Sequence, residues 1–295
     1  MKNVAAIVVT HNRKTLLLES IDKLLEQTAS PELDIIIVDN ASADGTREAL
    51  ASYVEEKKVI YLATGANLGS AGGFHYGLRH AALNNYTFAW LMDDDCMPVF
   101  DALAKLLAYS DRLAGCFGFL CSKVLWKDGT ICKMNVPRKS MYRKADDFAA
   151  EIVPVKIASF VSLLIPLKIV REVGLPLKEF FIWTDDWEYT RRISRKHACY
   201  LVNESVVTHA SQANNGADLA KESMDRLERY HYLYRNDVYL YRREGAAGII
   251  YNSTRLCYHV LRVMVLARQG RLRRIGCVAR GTWRGLSFRP KIEYI

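Results

Sequence analysis

The first hundred residues alternate between short apolar segments and segments with helical spacing or composition. The apolar segments, which have the length and composition of buried strands, are residues 4–9, 35–38, 59–62 and 88–92. The helical segments between them are residues 14–27, 46–56 and 72–84. This alternation predicts an α/β fold with a mostly parallel, Rossmann-like sheet and helices on both faces. We assign residues 1–215 to this domain and residues 216–295 to a helical extension.

Polar or glycine-rich residues follow each of the four predicted strands. They are residues 10–13, Asp39 with Asn40, residues 65–69 and residues 93–95. Any one of them could be a solvated loop or a helix cap. In open α/β sheets, however, ligands bind beyond the carboxyl ends of the strands. Four such ends in succession therefore predict a ligand site at this edge of the sheet.

Three consecutive aspartates, Asp93 to Asp95, follow the fourth predicted strand. In an extended chain, residues i and i+2 point the same way, so Asp93 and Asp95 are expected to share a cleft while Asp94 points elsewhere. Two converging carboxylates repel each other unless a cation lies between them. A hard divalent cation such as Mg²⁺ or Mn²⁺ suits these oxygen ligands. The alternative is a helix N-terminus, which also favours acidic residues.

A second acidic cluster contains Asp185, Asp186 and Glu188 and is flanked by Trp183 and Trp187. Partly apolar surroundings raise the pKa of a carboxyl group and suit it to act as a general base. Acidic residues in the first turn of a helix can also be capping residues. A lone histidine, His209, follows a later apolar run, and the acidic clusters before it are the reason to consider it as a ligand.

The ordered set of these motifs resembles the inverting GT-A glycosyltransferases of family 2. The resemblance covers about residues 3–240 and includes the Thr-His-Asn-Arg sequence at 10–13, the turn at 67–73, both acidic clusters and the later histidine. It implies a GT-A fold and a nucleotide-sugar donor. The donor-binding positions that it implies are Thr10, Asn12, Arg13, Asp39, Asn67, Gly69, Gly72 and Asp94.

The same resemblance implies the roles of the remaining polar residues. Asp93, Asp95 and His209 would hold Mn²⁺ or Mg²⁺. Asp186 would be the catalytic base, because it occupies the position of the aspartate in the family's Asp-x-Glu motif. Asp185 and Glu188 would orient the acceptor. The expected reaction is a single displacement that inverts the anomeric configuration.

Finer features resemble bacterial galactofuranosyltransferases, which use UDP-galactofuranose. They are the unbroken aspartate triplet, the small-residue turn at 69–73 and the paired Asp185 and Asp186. Rhamnosyltransferases that use dTDP-rhamnose are close relatives and share the Phe-Phe-Ile sequence at 180–182. The chain departs from a common galactofuranosyltransferase motif, Trp-Asp-Asp, because Thr184 follows the tryptophan. The expected role is in bacterial cell-surface polysaccharide synthesis, such as that of O-antigen.

Positive charge is concentrated near the C-terminal end. Residues 255–291 contain ten Lys or Arg and no acidic residue, and without these ten the net charge of +9 would be −1. Residues 248–267 have helical spacing, with Arg255, His259 and Arg262 on one face. We therefore expect a peripheral contact with the anionic cytoplasmic face of the inner membrane. The family resemblance implies a polyprenyl-diphosphate-linked acceptor at that surface. The alternative is a helix packed on the rest of the protein. Nucleic acid is not expected, because aromatic stacking residues are not interleaved with the arginines.

Other features bear on location and on competing functions. No segment has the pattern of a secretory signal peptide or of a transmembrane helix, and the seven cysteines include no CxxC pair, which favours a reducing cytoplasm. A nucleotidyltransferase would have a similar sheet, but a glycine-rich, lysine-containing triphosphate loop is not evident. A protein that binds a nucleotide sugar without catalysis is a further alternative.

Overall fold

The computed structural model describes residues 4–29 and 32–295. Its strands are β1 Val4–Thr10, β2 Leu33–Asp39, β3 Ile60–Ala63, β4 Phe88–Asp93, β5 Cys96–Pro98, β6 Leu120–Trp126, β7 Ile152–Pro154, β8 Leu163–Pro166 and β9 Tyr200–His209. Its helices are α1 Lys14–Leu25, α2 Thr46–Ala49, α3 Ala51–Glu55, α4 Gly69–Leu83, α5 Ala102–Arg112, α6 Leu167–Val173, α7 Asp185–Ser194, α8 Tyr230–Arg242, α9 Gly245–Leu266 and α10 Arg271–Ser287. Short 3-10 turns lie at Lys178–Phe180 and Leu227–Arg229.

The described strands form one sheet in the order β3-β2-β1-β4-β8-β6-β9-β5, and β7 also pairs with β9. The strands β3, β2, β1 and β4 are mutually parallel, as the sequence predicts. Beyond β4 the sheet is mixed, because β8 runs antiparallel to both β4 and β6. Residues 127–162, which connect β6 to β8, contain no helix, and antiparallel neighbours do not need the helical crossover that parallel ones usually have.

The central strand β1 is covered on both faces. Val9 points to the face covered by α4, whereas Val8 belongs to the core beneath α1 and α5. The α4 helix lies very close to β1, because a Cβ atom on Gly77 would be 2.4 Å from Ile7 Cγ2. Burying one large aliphatic side chain of this core contributes about 1.5–3 kcal/mol. The strand ends are therefore held in fixed positions by a core that fills both sides of the sheet.

The C-terminal helices α8, α9 and α10 pack on one another around Tyr230, Tyr234 and Val263. The basic face that was predicted to contact a membrane packs instead against neighbouring residues. Arg255 pairs with Asp237 (Nη1–Oδ2 2.8 Å), Arg262 pairs with Asp218 (Nη2–Oδ2 2.6 Å), and His259 Nδ1 is 3.0 Å from the Tyr234 hydroxyl. The two arginines of this face are thus matched by buried or partly buried acids, and the membrane contact of the C-terminal helices stays a prediction. Within the described residues, no helix could cross a bilayer by its length and hydropathy.

Candidate functional site

The carboxyl ends of three parallel strands meet at one edge of the sheet. The register aligns Thr10 at the end of β1 with Asp39 at the end of β2, and Val9 with Asp93 at the end of β4. The predicted convergence of these ends follows directly from this parallel pairing. It places the polar residues after each strand around a common cleft.

Asp93, Asp95 and His209 form a cluster in this cleft, with one ligand atom of each within 4.8 Å of the others. Pairing of β5 with β9 aligns Cys96 with His209 and so brings the imidazole beside Asp95. Asp95 Oδ1 is buried and makes no hydrogen bond, although His209 Nε2 lies 3.0 Å away. Two carboxylates and an imidazole around an unbonded buried oxygen fit the donor set of a divalent cation such as Mn²⁺ or Mg²⁺.

Asn135 orients the imidazole of His209. Its Oδ1 accepts a hydrogen bond from His209 Nδ1 at 2.8 Å, and its Nδ2 donates to Ser159 Oγ at 2.9 Å. With the proton on Nδ1, Nε2 faces Asp95. Burial alone would lower the pKa of His209, but its contacts with Asp95 and Cys132 raise it to about 10. Sequence reasoning missed Asn135, because it lies in an irregular segment with no pattern to mark it.

Arg13 is the cation at the mouth of this cluster. Its Nη1 lies 2.6 Å from Asp95 Oδ2 and 3.2 Å from Asp94 Oδ1, and Thr10 Oγ1 donates to Asp94 Oδ2 at 2.8 Å. Asp94 is thus turned toward Thr10 and Arg13 and is not part of the three-residue cluster. Burial raises the pKa of Asp94 to about 6. Burial also acts to raise the pKa of Asp95, but His209 and Arg13 lower it below its usual value.

Several of the predicted donor-binding side chains hold loops of the cleft. Asp39 accepts hydrogen bonds from the Ser42 amide at 2.9 Å and from the Tyr61 hydroxyl at 2.6 Å. Asn12 Oδ1 accepts from the Ala43 amide at 2.7 Å. The loop after β2 is therefore fixed from two sides, so its backbone presents a preformed wall to the cleft.

The turn before α4 connects this edge to the second acidic cluster. Asn67 Oδ1 accepts from the Gly69 amide at 2.9 Å, and Gly69 has a φ of +71°. A Cβ atom on Gly69 would lie 2.0 Å from the carbonyl oxygen of Phe181, so only glycine fits at this contact. The third residue predicted in this turn, Gly72, packs directly against Leu68, since a Cβ on it would lie 2.5 Å from Leu68 Cβ.

The segment before the second acidic cluster is held in an unusual conformation. Phe181, Trp183 and Thr184 all have φ values between +64° and +67°. Asn236 of α8 is buried and its Nδ2 donates to the carbonyl groups of residues 180, 182 and 183 at 2.9–3.1 Å, while Thr184 Oγ1 donates to Asp237 Oδ1 at 2.9 Å. The C-terminal helices thus position this segment. Sequence reasoning had not identified Asn236 or Asp237 as residues that hold it.

Asp185 and Asp186 lie in the first turn of α7 without an ion-pair partner among the described residues. Asp185 Oδ2 accepts from Ser70 Oγ at 3.2 Å, and Asp186 Oδ1 accepts from the Trp187 amide at 2.8 Å. Burial raises the pKa of Asp185 to about 6. Burial, followed by the charges of Asp185 and Asp93, raises the pKa of Asp186 well above its usual value. An uncompensated carboxyl group of this kind can accept a proton near neutral pH.

Glu188 is engaged elsewhere. Both of its carboxylate oxygens accept hydrogen bonds from Arg192, at 3.1 and 2.8 Å, and the pair is almost completely buried. Arg192 also donates to the carbonyl groups of Val173 and Leu175. Through Arg192, Glu188 thus helps to anchor α7, and its role in orienting the acceptor stays a prediction.

Comparison of the sequence with known proteins finds a matching family and similar characterised proteins. Residues 5–159, a little over half of the chain, match the family described as Glycosyl transferase family 2. The galactofuranosyltransferase GlfT1 of Mycolicibacterium smegmatis is 29% identical over 203 residues, or 65% of this chain and 65% of that protein. GlfT1 of Mycobacterium tuberculosis is 32% identical over 205 residues, or 66% of this chain and 65% of that protein. The match thus spans slightly less than two thirds of the length of either relative.

Solved structures with the same fold cover almost all of the chain. TarS residues 1–349 of Staphylococcus aureus in complex with UDP has a TM-score of 0.57 at 14% identity, covering 97% of this chain and 72% of that chain. The mannosyltransferase PcManGT of Pyrobaculum calidifontis, in complex with GDP-Man and Mn²⁺, has a TM-score of 0.59 at 18% identity, covering 95% and 73%. At these identities the likeness shows the fold alone, and it confirms the predicted GT-A α/β class with a helical C-terminal region.

Proposed function

Since the chain belongs to glycosyl transferase family 2 and is a glycosyltransferase, we propose that it transfers galactofuranose from UDP-galactofuranose to a hydroxyl group of a glycan, with inversion and with a divalent metal. The observation that carries this proposal is the pairing of two unlike acidic clusters in one cleft. One has the donor set of a metal site, and the other holds a carboxyl group with a raised pKa and no cation.

In the proposed reaction, Asp93, Asp95 and His209 would hold Mn²⁺ or Mg²⁺, which would supply positive charge to the nucleotide diphosphate. Asp186 accepts the proton of the acceptor hydroxyl while its oxygen bonds to the anomeric carbon. The bond from that carbon to the diphosphate breaks in the same step, so UDP leaves and the configuration inverts. Asp185 orients the acceptor, Arg13 adds a cation beside the donor, and the remaining predicted donor residues line its site.

The donor assignment rests on the names of the relatives, which are galactofuranosyltransferases, and on the motifs in the sequence. It is tested by calorimetric titration of UDP and of dTDP, each with Mn²⁺ and with EDTA, followed by assay of transfer from UDP-galactofuranose. We expect UDP to bind tightly only with Mn²⁺. Preference for dTDP would indicate dTDP-rhamnose as the donor, with the same inverting mechanism. Tight binding of neither nucleotide would contradict the metal-dependent donor site.

We also propose that the protein contacts the cytoplasmic face of the inner membrane, where a polyprenyl-diphosphate-linked acceptor would lie. The support is the exposure of residues at the end of α9, at the start of α10 and between the two helices. Met264 and Leu272 are 55% and 87% exposed, and Arg268, Arg271 and Arg273, which are close to them in sequence, are exposed as well. Apolar side chains among cations suit an anionic lipid surface.

Vesicle sedimentation tests this surface without removing the helices that hold the cleft. We expect Met264→Glu with Leu272→Glu to weaken binding to vesicles of anionic lipid about tenfold, because two apolar side chains would no longer enter the interface. Leu83→Glu is the matched control, because Leu83 is also 55% exposed but lies on α4. Equal binding by the double variant and the control would remove the membrane proposal.

A further inference from the structure

A cavity of about 580 Å³ lies beside α4, and no residue of the two acidic clusters lines it. Its walls include the donor turn at Asn67 and the stacked rings of Phe181 and Tyr232, whose centroids are 4.8 Å apart. Cavities of this size commonly hold small ligands. The cavity therefore adjoins the proposed donor site, because Asn67 and Gly72 of the predicted donor turn both line it.

Three basic side chains at this cavity converge on one carboxylate. Lys178 Nζ lies 3.0 Å from Glu293 Oε2, His75 Nε2 lies 3.2 Å from the same oxygen, and Arg79 Nε lies 3.4 Å from Oε1. The hydrogen bond from Lys178 lowers the pKa of Glu293. The backbone around this carboxylate is tied down, because the Leu175 amide donates to the Glu293 carbonyl at 2.8 Å. Glu293 is thus held as an anion at a point where donors from two elements meet.

This arrangement is the one that binds phosphate oxygens, because converging charged donors make the strong hydrogen bonds of phosphate sites. The Glu293, Lys178 and Arg79 side chains are 38%, 53% and 53% exposed, and ion pairs between such exposed groups are weak. A more highly charged anion can therefore replace the carboxylate. With Glu293 displaced, Glu179 is the acid that remains among the lining residues, against three Arg or Lys side chains.

We propose that this cavity is a subsite for a phosphate- or diphosphate-bearing ligand and that Glu293 occupies its anion position until the ligand displaces it. The aromatic walls would contact the apolar or sugar part of the ligand. The inference rests on the proposed function in one respect, because the acceptor there carries a diphosphate. Two sources share this chemistry: a free diphosphate and the diphosphate of a lipid-linked acceptor.

The test is calorimetric binding of inorganic pyrophosphate in buffer stripped of divalent cations, so that the metal cluster takes no part. We expect Glu293→Gln to lower the dissociation constant about tenfold, and Arg79→Gln with Lys178→Gln to raise it at least tenfold. Glu172→Gln is the matched control, since Glu172 pairs with Lys196 (3.3 Å) and His197 (2.9 Å) away from the cavity. Glu293→Gln binding pyrophosphate no better than Glu172→Gln would overturn the proposal.

Geranyl diphosphate, titrated in the same buffer, identifies the source. Tighter binding than pyrophosphate, lost in the Arg79 and Lys178 variant, supports the site and assigns it to a lipid-linked diphosphate. Equal binding, lost in the same variant, supports the site and assigns it to a free diphosphate. UDP binding with Mn²⁺, measured on each variant, separates this inference from the proposed function. If UDP binds normally and Glu293→Gln leaves the affinity for pyrophosphate unchanged, only the subsite is refuted. If pyrophosphate responds as expected but no sugar is transferred, the proposed function fails and the subsite stands.

Discussion

One carboxyl group of the first acidic cluster, Asp95, and one of the second, Asp186, have opposite electrostatic surroundings, although burial raises the pKa of the neighbouring Asp93 to about 7. Around Asp95, the Arg13 guanidinium and the His209 imidazole supply positive charge, and the pKa of Asp95 falls below its usual value. Around Asp186, no cation is within ion-pair distance among the described residues, and burial raises its pKa well above the usual value. A carboxylate kept ionised suits a metal ligand, whereas one that can hold a proton suits a base.

Each cluster also has one acid whose two carboxylate oxygens both have partners in the protein. The two carboxylate oxygens of Asp94 contact Thr10 and Arg13, and both carboxylate oxygens of Glu188 accept hydrogen bonds from Arg192. The sequence motif alone does not distinguish such an acid from its neighbours. What separates them is whether a partner already satisfies both carboxylate oxygens: Asp95 Oδ1 makes no hydrogen bond, and Asp186 accepts one only at Oδ1, from the Trp187 amide.

Among substitutions in the two clusters, Asp186→Asn should have the largest effect on turnover. The amide cannot accept the acceptor's proton, so we expect kcat to fall about 10²–10⁴-fold, the usual contribution of a general base. Binding of UDP with Mn²⁺ should remain within about twofold of wild type, because Asp186 is not part of the metal cluster. Steady-state kinetics and calorimetry check the two halves. Turnover near that of wild type would remove Asp186 from the role of base.

Glu188→Gln tests the acid assigned to the fold. Without the carboxylate, the buried Arg192 keeps its charge but loses its ion-pair partner, so we expect the free energy of unfolding to fall by about 3 kcal/mol in urea titrations. The control is Glu228→Gln, which breaks the exposed pair with Arg280 at 3.2 Å and should cost less than about 1 kcal/mol. Normal stability with a kcat lowered a hundredfold would instead place Glu188 at the acceptor.

How far the sequence leads differs between parts of the site. Asp93 and Asp95 lie close together as the sequence predicted, although Asp95 is in the turn between β4 and β5 and not in an extended strand, and the parallel register brings Asp39 beside Thr10. These are consequences of local geometry and parallel pairing. Asn135 could not be found in this way, because it meets His209 across 74 residues from a segment without periodic pattern.

The C-terminal region shows the same limit. Helical spacing correctly put Arg255 and Arg262 on one face of α9, but spacing does not say what that face meets. Their partners, Asp237 and Asp218, lie on other segments and fix the face against the protein. Likewise, the three carbonyl groups that Asn236 binds before the second acidic cluster could be identified only from the fold.

Asn135→Ala tests how the first cluster is oriented. Without its acceptor, the His209 ring is no longer held with Nε2 toward Asp95, so we expect the affinity for Mn²⁺ to fall about 10–100-fold, as when the partner of a metal-binding histidine is lost. Isothermal titration with Mn²⁺ measures this directly. Ser159→Ala, which removes only the contact behind Asn135, should have a smaller effect. Unchanged affinity in Asn135→Ala would mean that His209 needs no orienting partner.

Asp185→Asn makes the smallest change and addresses the second cluster directly. The negative charge of Asp185 opposes ionisation of Asp186 and so raises its pKa, after burial itself. Removing that charge should lower the pKa of Asp186, and the acidic limb of kcat/KM should move about one unit to lower pH. Glu204→Gln, an exposed acid on β9, controls for a general change in charge.

The direction of that shift in the pH profile shows which interaction sets the pKa of Asp186. If the limb moves down in Asp185→Asn and stays in place in Glu204→Gln, repulsion between the paired acids contributes to the raised pKa of Asp186. If it stays in place in both, burial alone sets the pKa and the pairing of Asp185 with Asp186 serves only the acceptor. A shift to higher pH is inconsistent with the electrostatics of the pair, because loss of a neighbouring negative charge cannot make a carboxyl group harder to ionise.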